Sequence, residues 1–214
     1  MRLFVALAPP AAVVEDLNAA CEPFRARRGD LRWTSTDAWH VTLAFLGEVS
    51  DAYLARLLPR MERAARRHAT FPLSFAGAGA FPSPGRANVL WSGLTGDRRA
   101  LGELAQSVSA GAGRAGVPPP DAGRRYHPHL TLARCRAPAD VSQVIAGLEG
   151  YTGLPWTADA MHVIRSHLGD GPSGSPRYET VESYRLTGRL LWGCSRHGIV
   201  VIHGLMVARR AWCT

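Results

Sequence analysis

The chain has 214 residues, 46% of them hydrophobic and 20% charged, a composition ordinary for a globular protein with a sizeable core. No stretch approaches the ~18 consecutive apolar residues that a membrane-spanning helix needs, which argues against a membrane protein. The net charge of +8 and the pI of about 10.1 favour a polyanionic partner through long-range attraction, although solvated surface arginines give the same charge.

The four cysteines are far apart in the sequence and form no CxxC pair, which favours a reducing compartment over a disulfide framework or a structural zinc site. The apolar start of the chain is short and is interrupted by Pro9 and Pro10, unlike a secretory signal. The sequence therefore predicts a cytoplasmic protein.

The first part of the chain contains two strand patterns and two helix patterns. Alternation over residues 2–8 predicts a strand, and apolar residues at helical spacing predict a helix over 11–28. A second strand is predicted over 40–46. Residues 51–68 predict an amphipathic helix in which Pro59 imposes a kink or a break.

The rest of the chain repeats this mixture. The predicted elements are strands at 71–81 and 87–94, a helix at 97–109, a Gly/Pro loop at 111–123, a strand at 129–134, a helix at 141–148, and strands at 161–166 and 178–186. Because strands and helices do not alternate strictly, the pattern predicts an α+β fold with antiparallel sheets rather than a doubly wound fold.

One short pattern occurs twice, as His40-Val41-Thr42-Leu43 and as His129-Leu130-Thr131-Leu132, 89 residues apart. Because side chains alternate faces along a strand, the His and Thr of each copy share one face and the apolar residues take the other. Two such strands facing a common cleft would present two imidazoles and two hydroxyls.

This set of groups suits hydrolysis of a phosphodiester. Imidazoles titrate near neutrality, so one can accept a proton while the other donates one. Threonine hydroxyls can donate hydrogen bonds to the phosphate oxygens that carry charge in the transition state. A single His-x-Thr is common in strands, so the interpretation depends on its repetition.

A metal site is the alternative for the same residues. His127 and His129 share a strand face, and His40 could supply a third ligand. Pro128 distorts the strand between the first two, and no acidic or thiol ligand stands close by in the sequence. We therefore expect a reaction that uses neither a metal nor a cofactor.

Residues 39–47 and 128–134 resemble the paired motifs of the two-histidine phosphoesterase superfamily. Within it, they are most similar to the RNA 2′,3′-cyclic phosphodiesterases, historically called LigT or 2′-5′ RNA ligases; residues 2–7 and Arg32-Trp33 resemble that branch as well. The resemblance spans about residues 1–188, which we expect to form one domain. Residues 189–214 are left as a C-terminal tail without a counterpart.

The resemblance implies a bilobal fold with pseudo-twofold symmetry, in which two antiparallel-rich sheets face a central cleft and the helices lie outside. It implies metal-independent hydrolysis of a terminal 2′,3′-cyclic phosphate on RNA to a 2′-phosphomonoester. His40 would protonate the departing 3′ oxygen and His129 would activate water, while Thr42 and Thr131 would hold the phosphate. We expect a monomer that acts on RNA ends, with tRNA fragments among its candidate substrates.

Residues around the second motif are further candidates for substrate binding. Arg134 is often present in this branch and would add charge near the phosphate, but strict alternation puts it on the face opposite His129, so a bulge or twist would be needed. Arg125 and Tyr126 could grip the RNA backbone and stack a base, or form a solvated loop with Tyr126 packed in its rim. His127 stands where the branch usually has Lys or Arg.

Other features carry less functional weight. Two glycine patterns, at 111–116 and 169–174, match the dinucleotide-binding fingerprint, but both run into proline and neither links a strand to a helix, so we interpret them as loops. Trp39 and Phe45 lie beside the first motif and are expected to pack in the core, with base stacking as the alternative. Two rival functions remain: a sister phosphodiesterase or 2′-5′ RNA ligase acting on a small cyclic phosphate or on tRNA halves, and a non-catalytic RNA-binding protein.

Overall fold

The structure is a computed structural model that describes residues 1–120, 123–170 and 176–188. The strands of these ranges are β1 (Arg2–Leu7), β2 (Leu31–Trp33), β3 (Val41–Glu48), β4 (Phe71–Phe81), β5 (Ala87–Gly96), β6 (Leu130–Ala139), β7 (Trp156–Ala158), β8 (Ala160–His167) and β9 (Arg177–Arg185). The helices are α1 (Ala11–Arg27), α2 (Asp51–Arg67), α3 (Arg98–Arg114) and α4 (Ser142–Leu148). The predicted tail, 189–214, lies outside the described residues.

All the named strands pair antiparallel in one curled network, in the order β7-β4-β5-β6-β3-β1-β8-β9, with β2 paired to β6. The network has two halves, β7-β4-β5-β6 and β3-β1-β8-β9, which meet at the residue pair Val41–Leu130 between β3 and β6. The predicted α+β fold with antiparallel sheets is therefore confirmed. The two expected sheets are halves of one network joined at this pair.

The chain runs through the same sequence of elements twice. One repeat is β1-α1-β3-α2-β4, and the other is β5-α3-β6-α4-β8, with the short strands β2 and β7 as additions. The last strand of each repeat pairs with the first strand of the other: β4 with β5, and β8 with β1. Each half of the network therefore contains strands from both repeats.

The helices cover one face of the network and leave the other face open. Buried residues of α2 and α3, such as Met61 and Leu104, belong to the same apolar cluster as Val41 and Leu130 of the central strands. A separate small cluster of Phe4, Ala6 and Ile164 lies on the other face, where helices are absent from the described residues. The open face is the one available for a cleft.

The sequence predicts a kink or a break at Pro59, and of these two the break is absent, because helix α2 runs through Pro59 without interruption. Pro59 lies on the exposed side of the helix, where water can hydrate the carbonyl that loses its N–H partner. On the other side, Leu57 and Met61 are fully buried, and their packing holds the helix together across the proline. No helix in the described part of the chain is both long and apolar enough to span a bilayer.

Helix α3 continues to Arg114, which corrects the predicted loop from residue 111. A Cβ atom built on Gly111 would lie 3.1 Å from Cε of Met61 and 3.6 Å from Cβ of Arg60, so the glycine allows α2 and α3 to approach closely. The tertiary contact outweighs the low helix propensity of glycine. The first glycine pattern thus ends a helix instead of forming a loop; the second falls partly on residues outside the described ranges.

Two glycines in the last turns of α3 are expected to respond oppositely to added side chains. Gly111→Leu should lower the free energy of unfolding by about 1–3 kcal/mol, because the new side chain overpacks the contact with α2. Gly113→Ala should raise it by up to ~1 kcal/mol, because a Cβ there meets nothing within 4 Å and alanine favours the helix. Urea unfolding measures both changes, and equal effects of the two substitutions would contradict the packing described here.

Candidate active site

The two His-x-Thr motifs meet where the two halves of the network join. The paired residues Val41 and Leu130 are equivalent positions of the two motifs, and both are fully buried. His40 and His129 precede this pair and Thr42 and Thr131 follow it, and all four are only half-buried. Because side chains alternate along a strand, all four face away from the helices, towards the open face.

Both imidazoles are held by the same backbone contact. Nδ1 of His40 lies 2.7 Å from the carbonyl oxygen of Ala38, and Nδ1 of His129 lies 2.7 Å from that of His127. A carbonyl oxygen can only accept, so each Nδ1 carries the hydrogen and each Nε2 is left to exchange a proton with a ligand. The local twofold repeat thus yields two equivalent proton-transfer groups.

Aromatic rings surround His40. Its ring centroid lies 4.7 Å from that of Phe4 and 5.3 Å from that of Tyr178, which meets it edge-on. Burial against these rings is the main cause that lowers the pKa of His40 to about 4. The Ala38 carbonyl opposes the shift, and positive charge on His129 and Arg134 adds to it.

A second aromatic wall surrounds His129. Phe81 and Trp91 lie 5.1 and 6.2 Å from its ring, centroid to centroid, and the imidazole of His127 packs against the same two rings. Gly79 permits this wall, because any Cβ there would overlap the indole of Trp91. Burial lowers the pKa of His129 as well, and positive charge on His127 and Arg134 adds to the shift.

Both imidazoles are therefore neutral near pH 7 in the free protein. The effect of a charge on His129 upon His40 also shows that the two groups share one electrostatic environment. A pair of neutral imidazoles in a partly desolvated cleft can take up a proton when an anion binds between them, because the anion stabilises the charged form.

A β-bulge in β6 places Arg134 on the same side as His129. Thr131 pairs with Trp91 and Ala133 with the neighbouring Leu90, so the residue between them, Leu132, is extra and reverses the alternation. A bulge or a twist is required to bring Arg134 to the face of His129, and this bulge provides it. The guanidinium is exposed, and its charge lowers the pKa of both motif histidines, which places it near them.

Strand β3 carries the same bulge at the equivalent place. Thr42 pairs with Ala6 and Ala44 with Val5, which leaves Leu43 as the extra residue. The bulge turns Phe45 out of the core, so that it is 46% exposed and 6.2 Å from Phe4, centroid to centroid.

The expectation that Phe45 packs in the core is therefore wrong, whereas Trp39, 5% exposed, is buried as expected. Phe45 and Arg134 are equivalent residues of the two repeats, 89 positions apart. The two sides of the cleft therefore differ in charge.

Tyr126 connects the two motifs. Its hydroxyl donates a hydrogen bond of 2.9 Å to the backbone carbonyl of Thr42, and its ring packs against the apolar core. Burial raises the pKa of this phenol, which keeps it protonated as a donor. Tyr126 thus takes the packing alternative rather than the base-stacking one, whereas Arg125 lies exposed in the same loop.

Four aromatic residues at the site were not singled out from the sequence: Phe4, Phe81, Trp91 and Tyr178. Alternation along the first strand would have put Phe4 and Ala6 on one face, but the sequence does not say which strand lies beside β3. Within the described residues, no group of three or more His, Cys, Asp or Glu is placed to hold a metal ion.

Substitution of Arg134 tests whether its charge reaches both histidines. Arg134→Gln should raise the pKa of His40 above its value of about 4 and should also raise that of His129, because a nearby positive charge is removed. NMR titration of the imidazole signals measures both shifts. Arg136→Gln, which removes an exposed charge from the same strand, is the control, and equal shifts in the two variants would place Arg134 outside the site.

Comparison with known proteins identifies the relatives of this chain. Residues 9–170 match the family described as the 2′-5′ RNA ligase superfamily. An RNA 2′,3′-cyclic phosphodiesterase of Thermus thermophilus is 33% identical over 195 residues, which cover 88% of this chain and 91% of the relative. The enzyme of the same name from Aquifex aeolicus is 26% identical over 157 residues, covering 73% and 82%.

Solved structures agree with the sequence matches. A crystal structure of a Thermus thermophilus protein has a TM-score of 0.73 and 30% identity, covering 89% of this chain and all of that one. Escherichia coli LigT complexed with 3′-AMP has a TM-score of 0.68 and 26% identity, covering 87% and 98%. From the family match over most of its length and from the similarity to these relatives, the chain belongs to the 2′-5′ RNA ligase superfamily of two-histidine phosphoesterases.

Proposed function

We propose that this protein hydrolyses the terminal 2′,3′-cyclic phosphate of RNA to a 2′-phosphomonoester, without a metal ion. The observation that carries the proposal is the pair of imidazoles on one cleft, each held at Nδ1 by a backbone carbonyl and each followed by a threonine on the same face. Relatives named RNA 2′,3′-cyclic phosphodiesterase, similar over most of the chain, support it.

The reaction needs one proton removed and one supplied. A water molecule attacks phosphorus, and Nε2 of His129 takes its proton; the bond from phosphorus to the 3′ oxygen breaks, and protonated Nε2 of His40 donates a proton to that oxygen. The product keeps the phosphate on the 2′ oxygen. The two histidines then return to their starting states by exchanging protons with solvent.

Binding of the substrate produces the protonated histidine that the reaction needs. Both histidines are neutral at rest, and an anionic phosphate bound between them raises their pKa values, so that one imidazole becomes protonated in the complex. The Thr42 and Thr131 hydroxyls donate hydrogen bonds to the non-bridging phosphate oxygens, and Arg134 adds a permanent positive charge on the His129 side.

The proposed partner is an RNA end, since Escherichia coli LigT, a structural relative, has been crystallised with 3′-AMP, which carries a nucleoside and a phosphate. The partly exposed aromatic residues beside the histidines, Tyr178 next to His40 and Phe81 and Trp91 next to His129, offer flat apolar faces for the nucleoside next to the phosphate. We further propose that the protein works as a cytoplasmic monomer, with tRNA fragments among its substrates. Analytical ultracentrifugation tests the monomer.

Replacement of either motif histidine should abolish most of the activity. His40→Ala and His129→Ala should each lower kcat at least ~10²-fold on an oligonucleotide that ends in a 2′,3′-cyclic phosphate, because each removes a proton-transfer group. His167→Ala, which removes an imidazole paired with Glu179 at the end of β8, should stay near wild type.

The assay is run with EDTA present, and phosphorus NMR locates the phosphate of the product. A 3′-phosphate product, or full activity of either motif variant, would overturn the mechanism. A wild type that turns over only mononucleotide cyclic phosphates, or that joins RNA ends, would favour one of the rival enzymes.

The pH dependence should reflect the lowered pKa values. The value of kcat/KM reports the free enzyme, in which one histidine must be protonated and the other neutral. Both pKa values lie below the ordinary 6.5, so the protonated fraction falls as pH rises and the optimum of kcat/KM should lie below pH 6.5. The kcat profile should lie at higher pH, because the bound phosphate raises both values. An optimum of kcat/KM above pH 7.5 would contradict the desolvated pair.

A further inference from the structure

A cavity of about 230 Å³ lies between α2 and α3, away from the motif histidines. Four arginines, one serine and one alanine line it: Arg60, Arg63, Ala64, Arg67, Ser107 and Arg114. Three of the arginines stand on α2 at positions i, i+3 and i+7, which share one side of a helix, and the fourth comes from α3. The cavity is thus lined by four arginine side chains from two helices, of which Arg60 is half-buried and the other three are exposed.

The close approach of the two helices at Gly111 explains why these arginines gather. Gly111 contacts Arg60 and Met61, and Ser107 and Arg114 lie about one turn to either side of it on α3. A larger residue at 111 would push the helices apart and increase the distance between the arginines of α2 and Arg114 of α3.

In the part of the chain that the structure describes, no carboxylate pairs with the arginines of this cavity. Two acidic residues of the same helices, Glu62 and Glu103, pair with other arginines, Arg66 and Arg99. Four like charges around one small space repel one another, and a bound anion would relieve the repulsion.

Helix-end stabilisation accounts for only part of this arrangement. Arg67 and Arg114 stand in the last turns of their helices, where a cation interacts favourably with the helix dipole. Arg60 and Arg63 precede the last turn of α2, so this effect does not explain them.

The cavity and the histidine cleft lie on opposite faces of the sheet. Helices α2 and α3 pack their apolar residues on the face that contains Val41 and Leu130, whereas the motif histidines face the open side. An anion between α2 and α3 is therefore not the reacting phosphate.

We propose that this cavity is a second anion site, which binds a phosphate group of the RNA backbone outside the catalytic cleft. Its volume of about 230 Å³ suits a phosphate group with a few waters, since one water occupies ≈ 30 Å³ of liquid. The arginines bind the phosphate oxygens through their forked donors. The Ser107 hydroxyl lies 2.8 Å from Nε2 of His68 and can donate one more hydrogen bond when that nitrogen carries the hydrogen. The net charge of +8 favours a polyanion such as RNA over a free phosphate compound.

The test compares two variants that lose the same charge. Arg60→Gln/Arg63→Gln should weaken binding of a labelled single-stranded RNA at least ~5-fold at low salt, measured by fluorescence anisotropy. It should also reduce the slope of log K against log salt by about 0.7, the value for one lost phosphate contact on a single strand. The control Arg27→Gln/Arg185→Gln removes two exposed arginines elsewhere and should keep the wild-type slope. Equal affinity and slope in the two variants would overturn the proposal.

Further measurements separate this site from the catalytic one and identify the source of the phosphate. Turnover of a mononucleotide 2′,3′-cyclic phosphate, which is too small to reach the cavity from the cleft, should be unchanged in Arg60→Gln/Arg63→Gln. A failure of the proposed catalysis would therefore leave the RNA-binding result intact. Titration with pyrophosphate followed by calorimetry tests the small-molecule source. If the Arg60→Gln/Arg63→Gln variant loses pyrophosphate binding but keeps the wild-type affinity for RNA, the proposal that RNA is the ligand is wrong.

Two more variants guard against a folding defect. Arg114→Gln removes a guanidinium from α3, on the other side of the cavity, and should also weaken RNA binding. Arg60→Lys/Arg63→Lys keeps the charge and should retain most of the affinity. Wild-type affinity in Arg114→Gln would contradict a site formed between the two helices.

Discussion

The antiparallel pair between Val41 and Leu130 is the constraint on which the site depends. These two residues are equivalent in the two repeats, and an antiparallel ladder lets equivalent residues face each other only where a local twofold axis passes between them. The axis relates His40 to His129 and Thr42 to Thr131. A slip of one residue would turn one motif towards the helices, burying an imidazole in the apolar core and exposing its apolar neighbours. Burial of Val41 and Leu130 thus fixes the register of the two strands, and the register fixes the direction of the His and Thr side chains.

The backbone keeps its symmetry at the cleft, and different side chains at equivalent positions break it where the chemistry needs direction. Matching bulges in β3 and β6 bring Phe45 to one side of the cleft and Arg134 to the other. For the proposed reaction, two identical sides would accept the cyclic phosphate in two orientations with the acid and base exchanged. Arg134 on the His129 side attracts the phosphate, and Phe45 on the His40 side offers a ring on which the base can stack. This difference favours one orientation of the substrate.

Much of this site could be predicted from the sequence, because its decisive signal is local. The His-x-Thr spacing fixes which side chains share a face in any strand, and the repeat indicates two copies of the arrangement. A bulge or a twist before Arg134 is required by the resemblance, but the positions of the two bulges could not be predicted, because the extra residues Leu43 and Leu132 look like ordinary strand residues until the pairing partners are known. For the same reason Phe45 was assigned to the core.

The other errors of prediction also have non-local causes. Glycines at 111 and 113 favour a loop by propensity, yet α3 continues through them because of a contact with Met61, far earlier in the chain. Pro59 favours a break by its own chemistry, and packing of its buried neighbours prevents it. The aromatic rings around the histidines come from four different strands, and only the sheet order brings them together.

The exchange of β4 and β8 between the repeats bears on how the protein loses its structure. Neither repeat can detach without opening both halves of the network, since each half pairs a strand of one repeat with a strand of the other. Amide protons in the two halves should therefore share one free energy of opening instead of forming two separately exchanging units. Partial unfolding therefore cannot displace one histidine and leave the other in place, and both imidazoles lose their positions in the same transition.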